Sequence, residues 1–336
     1  MAGKKILFGA PTDFGFAEAI KKELELLDFD VIDVSGFVAS FEYPSLWHRL
    51  RNFFQKAILQ DRSYKDALRS KVVSEKMIIY IQQFDNIQHG LFIRPDLFPL
   101  PLFQKLKKKD LSISAYQWDA ISRYPTVEEY IPYFNNFFAY DPSDLKRYPT
   151  VLPCTNFYLT PPHSKRRKQH GLLSINSYQA DRIDITVRLK KLIDNLEVPS
   201  EFIVYTRDKK EREHCEHLGL STIESCIKYT TNVENVLGSE VLFDAQIQSQ
   251  HGLSFRVLES VGYSVKLITT NKEVSKYDFY HSDNILIFQN QSAQQLRSFL
   301  NRPYHELPAS VREKYAFKNW LQYVLQLEGH TPITLP

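Results

Sequence analysis

Gln250-His251-Gly252-Leu253-Ser254-Phe255-Arg256-Val257-Leu258-Glu259, followed by Val265-Lys266-Leu267-Ile268-Thr269-Thr270-Asn271, reads as a glycine turn opening a short helix and then a buried strand. The strand ends in small polar residues. A Gly-Leu-Ser start leaves backbone N–H groups free at a helix N-terminus, where those donors and the helix dipole hold a phosphate. Glu259 lies about two turns along that helix, on a side from which it reaches sugar hydroxyls. Together these features suggest a nucleotide-sugar site.

The neighbouring sequence repeats the alternation of strand and helix. Upstream, residues 171–175 form an apolar strand, with Asn176 to Arg182 as its polar exit loop. Residues 183–196 carry helical periodicity, 202–205 form a strand that leaves Thr206 and Arg207 at its end, and 241–244 form another. Downstream, 266–269 and 285–288 are strands, and 311–327 reads as one patterned helix with Tyr315, Trp320, Tyr323 and Val324. Residues 159–170, with two prolines and the run Lys165-Arg166-Arg167-Lys168, have the composition of a linker.

A second series precedes the linker. Strands are expected at 5–9, 29–34, 77–81, 112–116 and 136–140, with helices at 16–27, through Leu106, and after the Asp141-Pro142-Ser143 turn. The first loop, Gly9-Ala10-Pro11-Thr12-Asp13-Phe14-Gly15, lacks the GxGxxG spacing of dinucleotide dehydrogenases. Residues 44–76 read as helical. Trp47, Leu50, Phe53, Phe54, Ala57 and Ile58 fall on one side, and Arg49, Arg51, Lys56, Arg62, Lys65, Arg69, Lys71 and Lys76 outnumber Asp61, Asp66 and Glu75. This is either a basic amphipathic surface for an anionic membrane or a helical hairpin with a solvated face.

The domains are thus expected at 1–158, with a helical basic insertion at 44–76, and at 171–310, with 311–336 as a C-terminal helix and tail. With 42 basic against 39 acidic residues, the chain is no polycation built for nucleic acid. The three cysteines, Cys154, Cys215 and Cys226, have no metal-like spacing and point to a reducing compartment. The start, Met1-Ala2-Gly3-Lys4-Lys5 and then Ile6-Leu7-Phe8, is too short an apolar run for a secretory signal. No apolar run reaches the length of a membrane span. A cytoplasmic protein is expected, possible also on the inner face of the membrane.

The block Gln250 to Glu259, with Lys266 to Asn271, Lys276-Tyr277-Asp278-Phe279-Tyr280 and Asp283-Asn284-Ile285, resembles the donor half of bacterial glycosyltransferases of lipopolysaccharide, capsule and exopolysaccharide assembly. Tyr116-Gln117-Trp118-Asp119, Arg123-Tyr124-Pro125, Tyr140-Asp141-Pro142-Ser143-Asp144-Leu145 and Ala180-Asp181-Arg182 extend the resemblance. It implies an α/β GT-B fold, in which two Rossmann-like domains face a cleft and the C-terminal helix packs back toward the first. It also implies a nucleotide sugar in the second half and a glycan or lipid-linked acceptor in the first. Glu259 is then the carboxylate that meets ribose or donor-sugar hydroxyls, and Gly252, Leu253 and Ser254 are the diphosphate cradle. His251 stands where the two-glutamate version of the motif has its other carboxylate, which weakens the retaining reading.

Further donor candidates are Arg207, whose planar fork matches phosphate, and Ser174, Asn176 and Ser177 at a strand exit. Arg256 and Lys266 are weaker candidates for phosphate contact. Gln250 and Asp244 are candidates to line the pocket, and Arg182 is expected to fix its loop with Asp181. Sugar transfer needs a base for the acceptor hydroxyl, and Asp13 and Asp119 are the catalytic candidates, with His48 a more distant one. Tyr116 and Trp118 are candidates for an acceptor platform. No Asp-x-Asp motif stands at a strand exit, so neither metal nor other cofactor is expected. The competing readings are a nucleotide-sugar epimerase or hydrolase on the same fold, and a non-catalytic partner in glycan assembly.

Overall fold

A computed structural model describes residues 3–58, 60, 63–109, 111–161 and 170–336. Met1, Ala2, Asp61, Arg62 and most of the expected linker, with its basic run, lie outside the described residues.

The chain divides into two compact units, Met1–Ala139 with Tyr148–Leu152, and Tyr140–Arg147 with Pro153–Pro336. The first holds β1 (Lys4–Gly9), β2 (Phe29–Asp33), β3 (Ile87–Ile93), β4 (Ile113–Gln117) and β5 (Asn136–Ala139), with β6 (Leu152–Pro153) at the sheet edge. The strand order is β2-β1-β3-β4-β5-β6. Its first five strands pair in parallel. Ile6, Leu7 and Phe8 of β1, and all of β4, are buried. Such uninterrupted burial is what a parallel strand covered on both faces requires.

The second unit repeats the plan with β7 (His170–Ser177), β8 (Ser200–Tyr205), β9 (Ser221–Ile223), β10 (Ser239–Asp244), β11 (Lys266–Thr269) and β12 (Ile285–Ile287). Their order is β12-β11-β10-β7-β8-β9, all in parallel pairs. In each sheet the chain first winds one way and then the other. The reversal falls between β1 and β3 in the first unit and between β7 and β10 in the second. Ligands of open α/β sheets bind at such switch points, outside the carboxyl ends of the strands.

Two expectations from sequence are corrected. Met77-Ile78-Ile79-Tyr80-Ile81 is not a strand but the last turns of a helix, Ser63–Ile81. Its buried residues Val73, Met77, Ile78 and Ile81 keep helical spacing, while Ile79 is exposed. A short apolar run does not declare its own period. The strand of that region is β3, masked in sequence by its polar start, Gln88-His89.

The expected helix over 311–327 is two helices, Ala309–Lys314 and Phe317–Val324. The backbone of Tyr158 enters between them: its N–H donates to the Tyr315 carbonyl at 3.2 Å, and the Phe317 N–H donates to the Tyr158 carbonyl at 2.9 Å. The later helix packs on 153–158, a stretch grouped by sequence with the first domain. Trp320 donates from Nε1 to the Thr155 carbonyl at 3.0 Å, and its ring packs at a tilt 4.4 Å from Phe157. The Tyr323 hydroxyl donates to the Pro153 carbonyl at 3.0 Å.

Candidate functional site

The loop 245–254, between β10 and the helix Phe255–Tyr263, is held at every turn by side chains from elsewhere in the second unit. Asp181 accepts from the Gln248 N–H at 3.1 Å, and Asp141 from the His251 N–H at 2.7 Å. Asn271 donates to the Gly252 carbonyl at 3.1 Å, and Asn156 to the Leu253 carbonyl at 2.9 Å. The Gln246 amide donates to the Gln250 carbonyl. Ser254 donates to Asp244 at 2.8 Å, and Asp244 also accepts from Thr269 at 3.1 Å. Asp244 therefore ties the ends of β10 and β11 to the helix start.

Gly252 is a glycine for lack of room. A Cβ there would lie 2.4 Å from the Tyr140 ring and 2.6 Å from the Tyr140 carbonyl oxygen. Loop and ring are thus packed into a fixed frame.

Arg256 is not placed to meet a phosphate. Its guanidinium donates to the Asn176 side chain at 2.8 Å and to the Ile175 and Phe243 carbonyls. It therefore sits across the switch point, fastening the carboxyl end of β7 to that of β10. Asn176 in turn donates to Ser174 at 3.0 Å, so these two donor candidates take part in the same fastening. Lys266 is likewise spent inside the fold, donating from Nζ to the Phe299, Leu300 and Arg302 carbonyls at the end of the helix Ala293–Asn301. Sequence offers all such cations as phosphate ligands, because only tertiary packing reveals which carbonyls they meet.

Two donor candidates stay at the surface of this sheet edge. Ser177 ends β7, and Arg207 follows β8 with its guanidinium 6.0 Å from the Tyr205 ring. Both are exposed.

Glu259 is 1% exposed, and its Oε1 has no hydrogen-bond partner among the described residues. Burial pushes its carboxyl above the usual carboxylate range, and the nearby Asp244 charge adds to the rise. The Arg256 charge and the nearby Tyr229 hydroxyl pull the other way. Arg256 and Lys266, the ion-pair partners a helix carboxylate could have had there, donate instead to Asn176 and to backbone carbonyls. Buried carboxylates are rarely left with an open oxygen. Tyr229 opens the helix Tyr229–Leu237, and nothing in its local sequence marks it as a neighbour of Glu259.

In the first unit, Asp13 stands at the switch point in a short 3-10 turn, Asp13–Gly15. It is exposed and caps no helix; the helix Phe16–Leu26 starts instead at Gly15, in the left-handed region at φ 71°. Phe16 lies 5.1 Å from Trp118, which brings the loop after β1 to the loop after β4.

Asp119 has a different setting. Arg94 donates to it at 2.8 Å and Arg123 lies 3.7 Å away. Arg94 is also held by both oxygens of Asp96 and stacks 3.9 Å from the Tyr124 ring. Burial alone would lower the Arg94 pKa, but Asp96 and Asp119 raise it overall. Asp119 is therefore one wall of an arginine cage rather than an open base.

Tyr116 is fully buried within β4, so it offers no face for a sugar to stack on; Trp118 is half-buried. Beside them Gln117 is fully buried, with neither polar atom of its amide partnered among the described residues. His48 lies on the helix Leu46–Ile58, 2.6 Å from the Tyr64 hydroxyl. Among the described residues no cluster of three or more His, Cys, Asp or Glu could hold a metal ion.

No protein-family model matches the chain, and no curated protein matches it. Its fold does match solved structures. An α,α-trehalose-phosphate synthase (UDP-forming) from Burkholderia xenovorans, in complex with glucose-6-phosphate, aligns over 96% of this chain and 99% of its own, with TM-score 0.57 and 10% identity. A proposed UDP-N-acetylglucosamine 2-epimerase from Listeria monocytogenes aligns over 99% and 100%, with TM-score 0.54 and 10% identity. S. aureus MnaA, in a UDP co-structure, aligns over 99% and 100%, with TM-score 0.52 and 14% identity. The fold is GT-B. At such identities the likeness is of fold alone, and chemistry rests on the site.

Proposed function

We propose that this protein is a glycosyltransferase that moves a sugar from a nucleoside-diphosphate donor to a bacterial cell-surface glycan or lipid-linked acceptor. The observation that carries the reading is Glu259, a buried carboxylate with an open oxygen on the helix that follows the rigid 245–254 loop. Donor hydroxyls satisfy that oxygen. The Gly252-Leu253-Ser254 helix start and Arg207 receive the diphosphate, since helix N-termini and guanidinium groups stabilise the negative charge that develops on the leaving group.

Asp13 is the base. The acceptor oxygen attacks the anomeric carbon, its proton passes to the Asp13 carboxylate, and the bond to the diphosphate breaks with its electrons leaving on the nucleotide. This is an inverting displacement that needs no metal. Asp119 acts through Arg94 as a positioning residue.

A thermal-shift screen against uridine, guanosine, adenosine and cytidine diphosphates and their sugars tests the donor half, because a ligand that binds only the folded state raises its melting temperature. One nucleotide series is expected to stabilise, and silence from all of them removes the reading. Arg207→Ala is expected to weaken the stabilising nucleotide by about 3- to 10-fold while leaving the unliganded Tm unchanged, since Arg207 is exposed.

The second reading is a nucleotide-sugar 2-epimerase or hydrolase. It is favoured by the shared fold with MnaA and the Listeria protein. Under it nucleoside diphosphate, or an epimeric sugar, accumulates without any acceptor. Under the first reading, release requires one.

A further inference from the structure

The helix Leu46–Ile58 faces the wrong way for a soluble protein. Leu46, Trp47, Leu50, Phe53 and Phe54, at positions i, i+1, i+4, i+7 and i+8, form one stripe and are 55–78% exposed. The uncharged polar residues face inward instead. His48 meets the Tyr64 hydroxyl at 2.6 Å, Asn52 donates to the Tyr43 hydroxyl at 3.0 Å, and Gln55 is half-buried. Amphipathic helices bury their apolar stripe when water is the only solvent. A contiguous exposed stripe of this kind marks an interaction surface.

The charges beside the stripe identify the occupant. Arg49 and Lys56 border one edge of it and Arg51 the other, and the helix carries no acidic residue. Two further cations of the basic segment are engaged within the protein: Arg69 donates to the Val38 carbonyl at 2.8 Å and Lys76 to the Ser40 carbonyl at 3.0 Å. Arg51 also lies 4.9 Å from the Tyr64 ring, and Lys65 and Lys71 of the helix Ser63–Ile81 add exposed positive charge to the same segment.

We propose that this helix seats the protein on an anionic bilayer. Its apolar stripe lies at the boundary of headgroups and acyl chains, and Arg49, Arg51 and Lys56 lie against lipid phosphates. A second copy is a poor occupant, because two-fold pairing of the stripe sets cations against cations. Docking does not depend on the nucleotide-sugar reading.

Co-sedimentation of the full chain with vesicles of phosphatidylglycerol and phosphatidylcholine in equal parts tests the proposal. Binding is expected, with a blue shift of Trp47 fluorescence, and is expected to fall about 100-fold on pure phosphatidylcholine vesicles. The double variant Leu50→Ser, Phe53→Ser is expected to lose about 100-fold in binding to the anionic vesicles. Its Tm in solution stays unchanged, because both side chains contact water. Equal binding by the variant, or equal binding to both vesicle types, overturns the proposal. So does a concentration-dependent dimer that the double variant abolishes, seen without any vesicle binding.

Discussion

Gly252→Ala is expected to cost about 3 kcal/mol of stability and to abolish measurable nucleotide binding, read by urea denaturation and by thermal shift with the stabilising nucleotide. A methyl group at this position meets the Tyr140 ring at 2.4 Å and the Tyr140 carbonyl oxygen at 2.6 Å. Ring atoms can turn away, but the carbonyl belongs to the backbone just before Asp141, and Asp141 holds the His251 N–H. Relief at one contact therefore pulls on the other. The Gly252 carbonyl is fixed by Asn271 and its neighbour's by Asn156, so the loop has no slack to absorb the shift. Tyr140→Ala in the same chain removes the ring and is expected to restore only part of the stability, since the carbonyl contact stays. Wild-type stability for Gly252→Ala would show that the loop is not the rigid frame described.

Glu259→Gln is expected to act in opposite directions on stability and on binding. Burial raises the carboxyl's affinity for a proton in the folded state above its ordinary value of 4.5. A carboxyl shifted upward stabilises the fold fully at pH below its unfolded value, and that contribution is lost as pH rises through the folded value. Wild type should therefore lose stability across that window, and Glu259→Gln, neutral throughout, should not. At neutral pH the variant should melt higher than wild type.

Donor affinity should fall by about 10- to 100-fold, because a hydrogen bond to a charged group is worth more than one to an amide. Paired measurements of Tm against pH and of nucleotide-sugar affinity check both arms. A variant with an unchanged pH profile would place Glu259 in solvent, and one with unchanged donor affinity would remove it from the site. Such opposition is expected where a protein keeps a buried group for its ligand at the expense of its own stability.

Much of the fold is legible in the sequence because its strands are short apolar runs bounded by polar turns, and that pattern is local. Residues 266–269 are read correctly to the residue, and the strands near 5–9, 202–205 and 241–244 to within a few. The failures occur where the local signal is ambiguous. Met77 to Ile81 carries five apolar or aromatic residues in a row, which suits a strand or a buried helix equally. Lys209–His217, at the opposite extreme, is so polar that its helix goes unread, although Asp208 caps it by accepting from the Lys210 and Glu211 N–H groups.

The site divides along the same line. By itself the sequence determined that the chain is an α/β protein of two Rossmann-like units, and it singled out Gly252 and Glu259, because turn chemistry and periodicity are carried by neighbours along the chain. Tertiary structure alone decided what the charged residues do. Arg256 fastens two strand ends, Asp119 stands in the Arg94 cage, and Lys266 caps a helix. It also brought Tyr229 close to Glu259 and turned the apolar stripe of Leu46–Ile58 outward. Each of these depends on partners far away in sequence, and the free energy of a buried charge or an exposed aromatic is set by what surrounds it in space.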